Sequence, residues 1–344
     1  MTTVATIEAE TEALRRGAGA YRAARDVLAV RGPDAEEYLQ GQLSQDVVAL
    51  AVGATADALL LEPDGKLTAL LRVTRTDGQG FVLDLDAGYA DAVAARLRRF
   101  LLRSKVELEL LDWRCLCLRG AAVSEVAAGL LTVLAERGVL ALPFEWNGWS
   151  GVDLLGPDDV VLGADAAELP AGVVACGPAS VEACRIVSGI PAMGSELTNK
   201  TIAAEAGLVE RTVNFTKGCY TGQELVARID SRGSNVARRL VGVVAPPGPG
   251  EPAALAPGMT LHAGAAPEGD APAEDKVVGT LTSAAWSAEL RGWVGLGYLQ
   301  RKVDSPGPVR VRAGDGIGGS HPARVSPLPL DPGQGAGAGA GATA

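Results

Sequence analysis

The sequence predicts an α+β protein of two or three packed units that ends in a small antiparallel β barrel or sandwich. Three observations predict it. The chain has 344 residues, more than one average core needs. As far as about residue 240, apolar runs of strand period and helix period alternate loosely. Beyond that point helical periodicity stops, and short strands such as VVGTLTSAAW, WVGLGYLQ and PVRVRAG alternate with Pro/Gly/Ala-rich loops.

In chain order, GPDAEEYLQGQLSQDV (32–47) places Pro33 at a first helical position and acids in the first turn. Ala35, Tyr38, Leu39 and Leu43 then form one apolar stripe, so a helix is predicted. Residues 58–75 read as a β-hairpin turning at Pro63-Asp64-Gly65-Lys66. FVLDLD (81–86) alternates as a strand. Residues 87–103 read as a helix with Val93, Leu97 and Leu101 inside and Arg96, Arg99 and Arg103 outside. Strands follow at 106–111 and 113–120, a helix at 121–138, and short strands in GWSGVDLLG and DDVVLGA. Residues 179–197 begin helical and stop at Gly189-Ile190-Pro191. Neither GxGxxG nor GxxxxGK[ST] follows a strand, which removes both phosphate-loop readings.

A net charge of −10 does not build the broad footprint of a dedicated nucleic-acid binder. The N-terminus carries acids early and has no apolar signal region, and no apolar run approaches the roughly 18–20 residues of a membrane span. The five cysteines, Cys115, Cys117, Cys176, Cys184 and Cys219, are odd in number and scattered, which fits a reduced compartment. A cytoplasmic protein is expected. His262 and His321 both come late, in stretches expected at the surface, so no His/Cys zinc motif is spaced along the chain. Cys115 and Cys117 share one face of a strand; two ligands alone make a weak site, and packing as small apolar residues is the preferred reading.

The densest chemistry lies in TKGCYTGQELVARIDSRG (216–233). Thr221 and Glu224 stand at capping-box spacing, with Leu225, Val226 and Ile229 as the apolar face of the helix they would open. Cys219 would then lie two residues before the N-cap, near orphan N–H groups and the positive end of the helix dipole. Lys217, Arg228 and Arg232 add positive charge, which favours thiolate. A lone intracellular Cys is most often a small buried hydrophobe. Here polar and glycine neighbours predict an exposed thiol facing a charged hollow. Both histidines fall beyond residue 240, which argues against a Cys–His dyad. Arg211, Lys217, Arg228, Arg232, Arg238 and Arg239 cluster around this segment, as an anion site or a contact for RNA requires.

KGCYTGQE (217–224), continued by LVAR, resembles the signature of the YgfZ-type folate-binding proteins, relatives of the glycine-cleavage T-protein aminomethyltransferase. VRGPDAEEYLQGQLSQDV, PDGKLTALLRV, RIVSGIPAMGSEL, TIAAEAGLVERTVNFTKGCY and VVGTLTSAAWSAELRGWVGLGYLQ are similar to further blocks of that family, so the resemblance covers residues 20 to 330. It implies an aminomethyltransferase-like ring. Two interleaved α+β subdomains would form a folate-binding region over 20–240, a C-terminal antiparallel β-barrel would follow at 241–330, and 331–344 would be a disordered Gly/Ala tail. It also implies tetrahydrofolate in a central cavity and a role with iron–sulfur enzymes or assembly proteins and in tRNA modification, including contact with tRNA. By the resemblance Cys219 is the reactive thiol, and Lys217, Gly218, Tyr220, Gly222, Gln223, Glu224 and Arg228 are cofactor-binding positions, with no resident metal.

Two departures matter. T-proteins carry an aspartate in the first hairpin where this chain has Leu67-Thr68-Ala69-Leu70, and a glutamate two residues after the crossover arginine, where Val187 follows Arg185. A pterin ring needs an acceptor for its N–H groups, and Asp64, Asp84, Glu196 and Glu224 are candidates. The departures favour a folate-binding accessory protein; the alternative is a folate-dependent one-carbon transferase.

Overall fold

A computed structural model describes residues 3–157, 169–233, 235–246, 254–264, 276–313 and 320–331. Helix α1 (Val4–Arg15) leads into β1 (Gly19–Ala23) and β2 (Arg25–Arg31), which enter two different sheets. The first sheet is antiparallel, in the order β3-β4-β5-β2-β6, with β3 at Thr55–Leu61, β4 at Leu67–Arg75, β5 at Gly80–Asp86 and β6 at Glu107–Leu111. Helices α2 (Ala35–Gln42) and α3 (Ala90–Arg98) cover one face. Alternation explains why: Leu28 and Val30 of β2 turn toward Leu39, Val93 and Leu97 of the helices, while Val27 points to the opposite face.

That opposite face meets the second sheet, ordered β10-β1-β7-β9-β8. Its strands are β7 (Trp113–Arg119), β8 (Leu140–Trp146), β9 (Trp149–Pro157) and the short β10 (Val174–Ala175); β10 runs parallel to β1 and the other pairs are antiparallel. Val27 and Val82 of the first sheet pack on Cys115, Cys117, Leu142 and Leu155 of the second. Both thiols are buried there among apolar side chains. Helix α4 (Val123–Glu136) belongs to this second unit.

Helix α5 (Pro178–Val187) carries Pro178 in its first turn and ends before Gly189, whose φ of +70° and contact with Leu328 leave no room for a Cβ. Its Ala183, Ile186 and Val187 pack on Ala285, Val294 and Leu296 of a closed barrel. The barrel runs β11-β14-β13-β12-β15-β16, with β11 at Arg238–Ala245, β12 at Thr260–Ala263, β13 at Val277–Ser287, β14 at Gly292–Gln300, β15 at Gly307–Arg312 and β16 at His321–Ser326. Closure removes the sheet edges.

Several expectations need correction. Both histidines lie in strands, and His262 is buried on β12 instead of sitting at the surface. The helix expected over 87–103 is only Ala90–Arg98, and Arg96 faces inward: its guanidinium donates to Leu61 O at 2.7 Å and Gln42 Oε1 at 3.0 Å, and stacks over Phe100 at 4.1 Å. A long stem can follow the apolar stripe provided its charged head finds acceptors. DDVVLGA and the expected tail beyond Asp331 lie outside the described residues. Among the described residues no helix is long and apolar enough to cross a membrane.

Candidate functional site

Between the two sheets lies a cavity of about 540 Å³. One wall is aromatic: Tyr21 stacks on Trp149 at 6.3 Å, and Phe144 meets Trp149 edge-on at 5.8 Å. Charged groups line much of the rest. Arg25, Arg72, Arg119, Arg185 and Arg211 reach the cavity, as do Asp57, Asp86 and Asp153.

These charges are wired to one another. Arg72 on β4 donates to Asp84 on β5 at 2.9 Å and to Asp153 on β9 at 2.7 Å, so one guanidinium ties the first sheet to the second. Arg25 holds Asp84 from the other side at 2.6 Å and pairs with Asp86 at 2.9 Å. Arg119 pairs with Asp153 at 2.6 Å and sits over the Phe144 ring at 3.6 Å. Burial alone would push both carboxyls up; the adjoining guanidiniums outweigh it and hold Asp84 and Asp153 below the ordinary carboxylate range. Arg211 pairs with Asp57, and Arg185 with Glu182 and Glu196.

The 216–233 segment lies elsewhere. Cys219 is exposed, and neither it nor Lys217, Gly218, Tyr220, Gly222, Gln223, Glu224 or Arg228 is among the residues lining the cavity. The expected exposure of Cys219 is met, but the thiol does not face this charged cavity. The capping box is corrected as well. Helix α7 (Gln223–Asp230), which follows the short helix α6 (Val209–Thr212), takes Gly222 as its N-cap at φ +85° with no side-chain cap. Gln223 Oε1 instead accepts from Tyr220 N at 3.1 Å, and Thr221 N donates to Gly41 O.

The reason is the hairpin tip between β3 and β4. A Cβ on Gly222 would stand 2.6 Å from Glu62 O and 2.8 Å from Leu61 Cβ, and one on Gly65 would stand 2.5 Å from Leu225 Cβ. Glycine is therefore required at 222 both for its left-handed φ and for this approach. Gly222→Ala is expected to destabilise the fold by about 2 kcal/mol or more, read as a lower urea midpoint with unchanged slope.

The remaining signature residues anchor the loop. Lys217 Nζ donates to Gln40 O at 2.6 Å, Leu43 O at 2.6 Å and Gln45 O at 2.8 Å. Burial draws its pKa down to about 8, so at neutral pH the ammonium retains the three N–H groups those carbonyls use. Tyr220 is buried with Leu61, Leu67 and Val226. Gly218, Glu224 and Arg228 are exposed. The expected basic cluster is dispersed: Arg211 lines the cavity, Arg238 pairs with Glu205, and Arg239 caps the carbonyls of Arg301 and Val303, while Arg228 and Arg232 stay exposed.

Of the four carboxylates considered as acceptors, none lines the cavity. Asp64 pairs with Lys66, Glu224 is exposed, and Asp84 and Glu196 are buried and fully engaged. Ala69 and Val187, at the positions of the departures, pack in the first core and against the barrel. The cavity's own Asp57, Asp86 and Asp153 were missed from sequence. The available signal was a charged residue at a buried phase of an otherwise apolar strand, as in TALLRVTR and GVDLLG.

A family model described as "Glycine cleavage T-protein C-terminal barrel domain" matches residues 238–331. The "tRNA-modifying protein YgfZ" of Vibrio vulnificus strain CMCP6 is 30% identical over 232 residues, 65% of this chain and 69% of that protein. The chain belongs to the YgfZ family. The "Iron-sulfur cluster assembly factor IBA57 homolog, mitochondrial" of Pyricularia oryzae is 26% identical over 229 residues, 61% of this chain and 53% of that protein. The crystal structure of glycine cleavage system aminomethyltransferase T from Bartonella henselae superposes with a TM-score of 0.74 at 21% identity, covering 95% of this chain and 90% of its own. That likeness establishes the aminomethyltransferase-like fold. The chain spans about two thirds of the length of the first curated relatives it matches.

Proposed function

We propose that this family member is a tetrahydrofolate-binding accessory protein that supports iron–sulfur cluster assembly or repair, and the tRNA modification that depends on such clusters. The names of the Vibrio and Pyricularia relatives support the two halves of that role. Folate belongs in the cavity between the sheets. Its volume suits a small cofactor, its aromatic wall offers apolar surface beside a planar ring, and the Asp–Arg pairs offer both acceptors and donors. Tetrahydrofolate supplies one-carbon acceptor chemistry in transferases.

The observation that carries the accessory reading is the state of the lining carboxylates. Asp57, Asp86 and Asp153 are each held by arginine, and of the stretch Leu67-Thr68-Ala69-Leu70, where T-proteins carry an aspartate, the residue that lines the cavity is Leu70. Among the described lining residues no carboxylate is left without an arginine partner to move a proton during a transfer. Cys219, with Arg228 and Arg232 on the same exposed segment, is then a surface thiol for an iron–sulfur partner or for tRNA, acting in the cytoplasm. Lys217, Gly218, Tyr220, Gly222, Gln223 and Glu224 build the loop that displays this thiol and do not contact a cofactor in the cavity.

The test pairs two measurements. Purified protein is expected to bind tetrahydrofolate with quenching of tryptophan fluorescence, and Cys219→Ser to bind it equally. In cells that depend on the protein, Cys219→Ser is expected to lower iron–sulfur enzyme activity at least severalfold without lowering protein level. Undiminished activity would remove the thiol from the function, and turnover of aminomethyl or methyl donors by the purified protein would replace the accessory reading with the transferase one.

A further inference from the structure

Cys115 and Cys117 project from the same face of β7, both buried, with their sulfurs 3.7 Å apart, and Cys117 reaches the cavity wall. Directly across the strand pair, Cys117 is the register partner of Asp153 on β9. One ligand atom from each of Cys115, Cys117 and Asp153 lies within 4.8 Å of the other two. Sequence alone shows only two of these three groups, because Asp153 arrives through pairing of strands that are distant along the chain.

We infer that Cys115, Cys117 and Asp153 form a binding site for a thiophilic d10 cation, Zn²⁺ in the first instance, with its fourth position open to the cavity. Three features point there. Two sulfurs bound to a tetrahedral Zn²⁺ at about 2.3 Å stand about 3.8 Å apart, which the sulfur pair already matches. Cys117 and Asp153 both line the cavity, which supplies an entry path and a vacant side for a fourth ligand. Finally, the carboxylate is oriented: Arg119 holds Asp153 Oδ1 at 2.6 Å and Arg72 holds Oδ2 at 2.7 Å. Guanidiniums in that place leave a lone pair on each oxygen and act as the outer groups that fix a metal ligand.

Charge balance permits it. Binding breaks two S–H bonds, forms two Zn–S bonds and releases two protons to solvent, so the total charge beside Arg25, Arg72 and Arg119 does not change. No electron is transferred.

The full-length protein, stripped with chelator under reducing conditions, should take up one Zn²⁺ per chain against a chromophoric competitor. It should also give a thiolate-to-cobalt charge-transfer band with Co²⁺. Cys117→Ala and Cys115→Ala should each weaken Zn²⁺ binding beyond the roughly 100-fold that loss of a supporting outer group costs. A Cys176→Ser/Cys219→Ser chain, altered at half-buried and exposed positions, should keep the band and the stoichiometry. This last variant decides the matter even if the core substitutions fail to fold. Failure of the wild-type chain to bind one Zn²⁺, loss of the band in Cys176→Ser/Cys219→Ser, or full binding by folded Cys117→Ala overturns the site and leaves the thiols as packing.

Discussion

Arg72→Met is expected to destabilise the protein by about 3–5 kcal/mol, the range for removing one partner of a buried ion pair. Arg72 is buried, and it is the link that joins Asp84 of the first unit to Asp153 of the second. Without it Asp84 keeps Arg25 and Asp153 keeps Arg119, but each loses a hydrogen-bonded cation in a site shielded from water. The methionine matches much of the stem's volume, so the loss reports charge and hydrogen bonding more than packing.

The effect should depend on pH in one direction. Asp84 and Asp153 are held below the ordinary carboxylate range in the folded chain. Their contribution is therefore complete above the unfolded value of about 4 and is lost as pH falls through the folded values. The gap between wild type and Arg72→Met should be widest near neutral pH and shrink in acid. Denaturant midpoints at pH 7 and pH 3 check this; a gap that is constant or widens on acidification contradicts the ion-network account.

Lys217→Met is expected to cost about 3 kcal/mol, since hydrogen bonds to a charged group contribute roughly 1.5–3 kcal/mol each and part of the exposed carbonyl surface can rehydrate. The three carbonyls it serves belong to Gln40 at the end of α2 and to Leu43 and Gln45 just beyond it. Helix C-terminal carbonyls have no intrahelical donors and carry the negative end of the dipole, so a compact ammonium is well matched there. Lys217→Arg should not rescue, because a planar guanidinium has no single nitrogen that can direct three N–H groups to three separate carbonyls. Urea unfolding of the three proteins measures both statements; recovery in Lys217→Arg would mean that only the charge matters.

Much of the fold was legible residue by residue. The hairpin at Pro63-Asp64-Gly65-Lys66, the strand FVLDLD, the helix stopped before Gly189 and the loss of helical periodicity near residue 240 all rest on local signals of period or backbone preference. The structure keeps each of them. The capping box failed because its ranking rests on local hydrogen bonds alone, and the close approach of the hairpin tip imposed a glycine N-cap instead. Arg96 failed for a related cause: a helical wheel assigns a face but does not show which acceptors wait there.

What the residues determine alone is a part of the elements, the glycine-bounded thiol segment and its family signature, since these depend on neighbours a few positions apart. Which charges share a cavity was decided only in three dimensions. Arg72, Asp84 and Asp153 come together through strand pairing and sheet packing across long separations. Lys217 turned inward for the same reason: the carbonyls that satisfy it lie about 170 residues earlier. Electrostatic partners are chosen by proximity in space, and spacing along the chain carries no record of that choice.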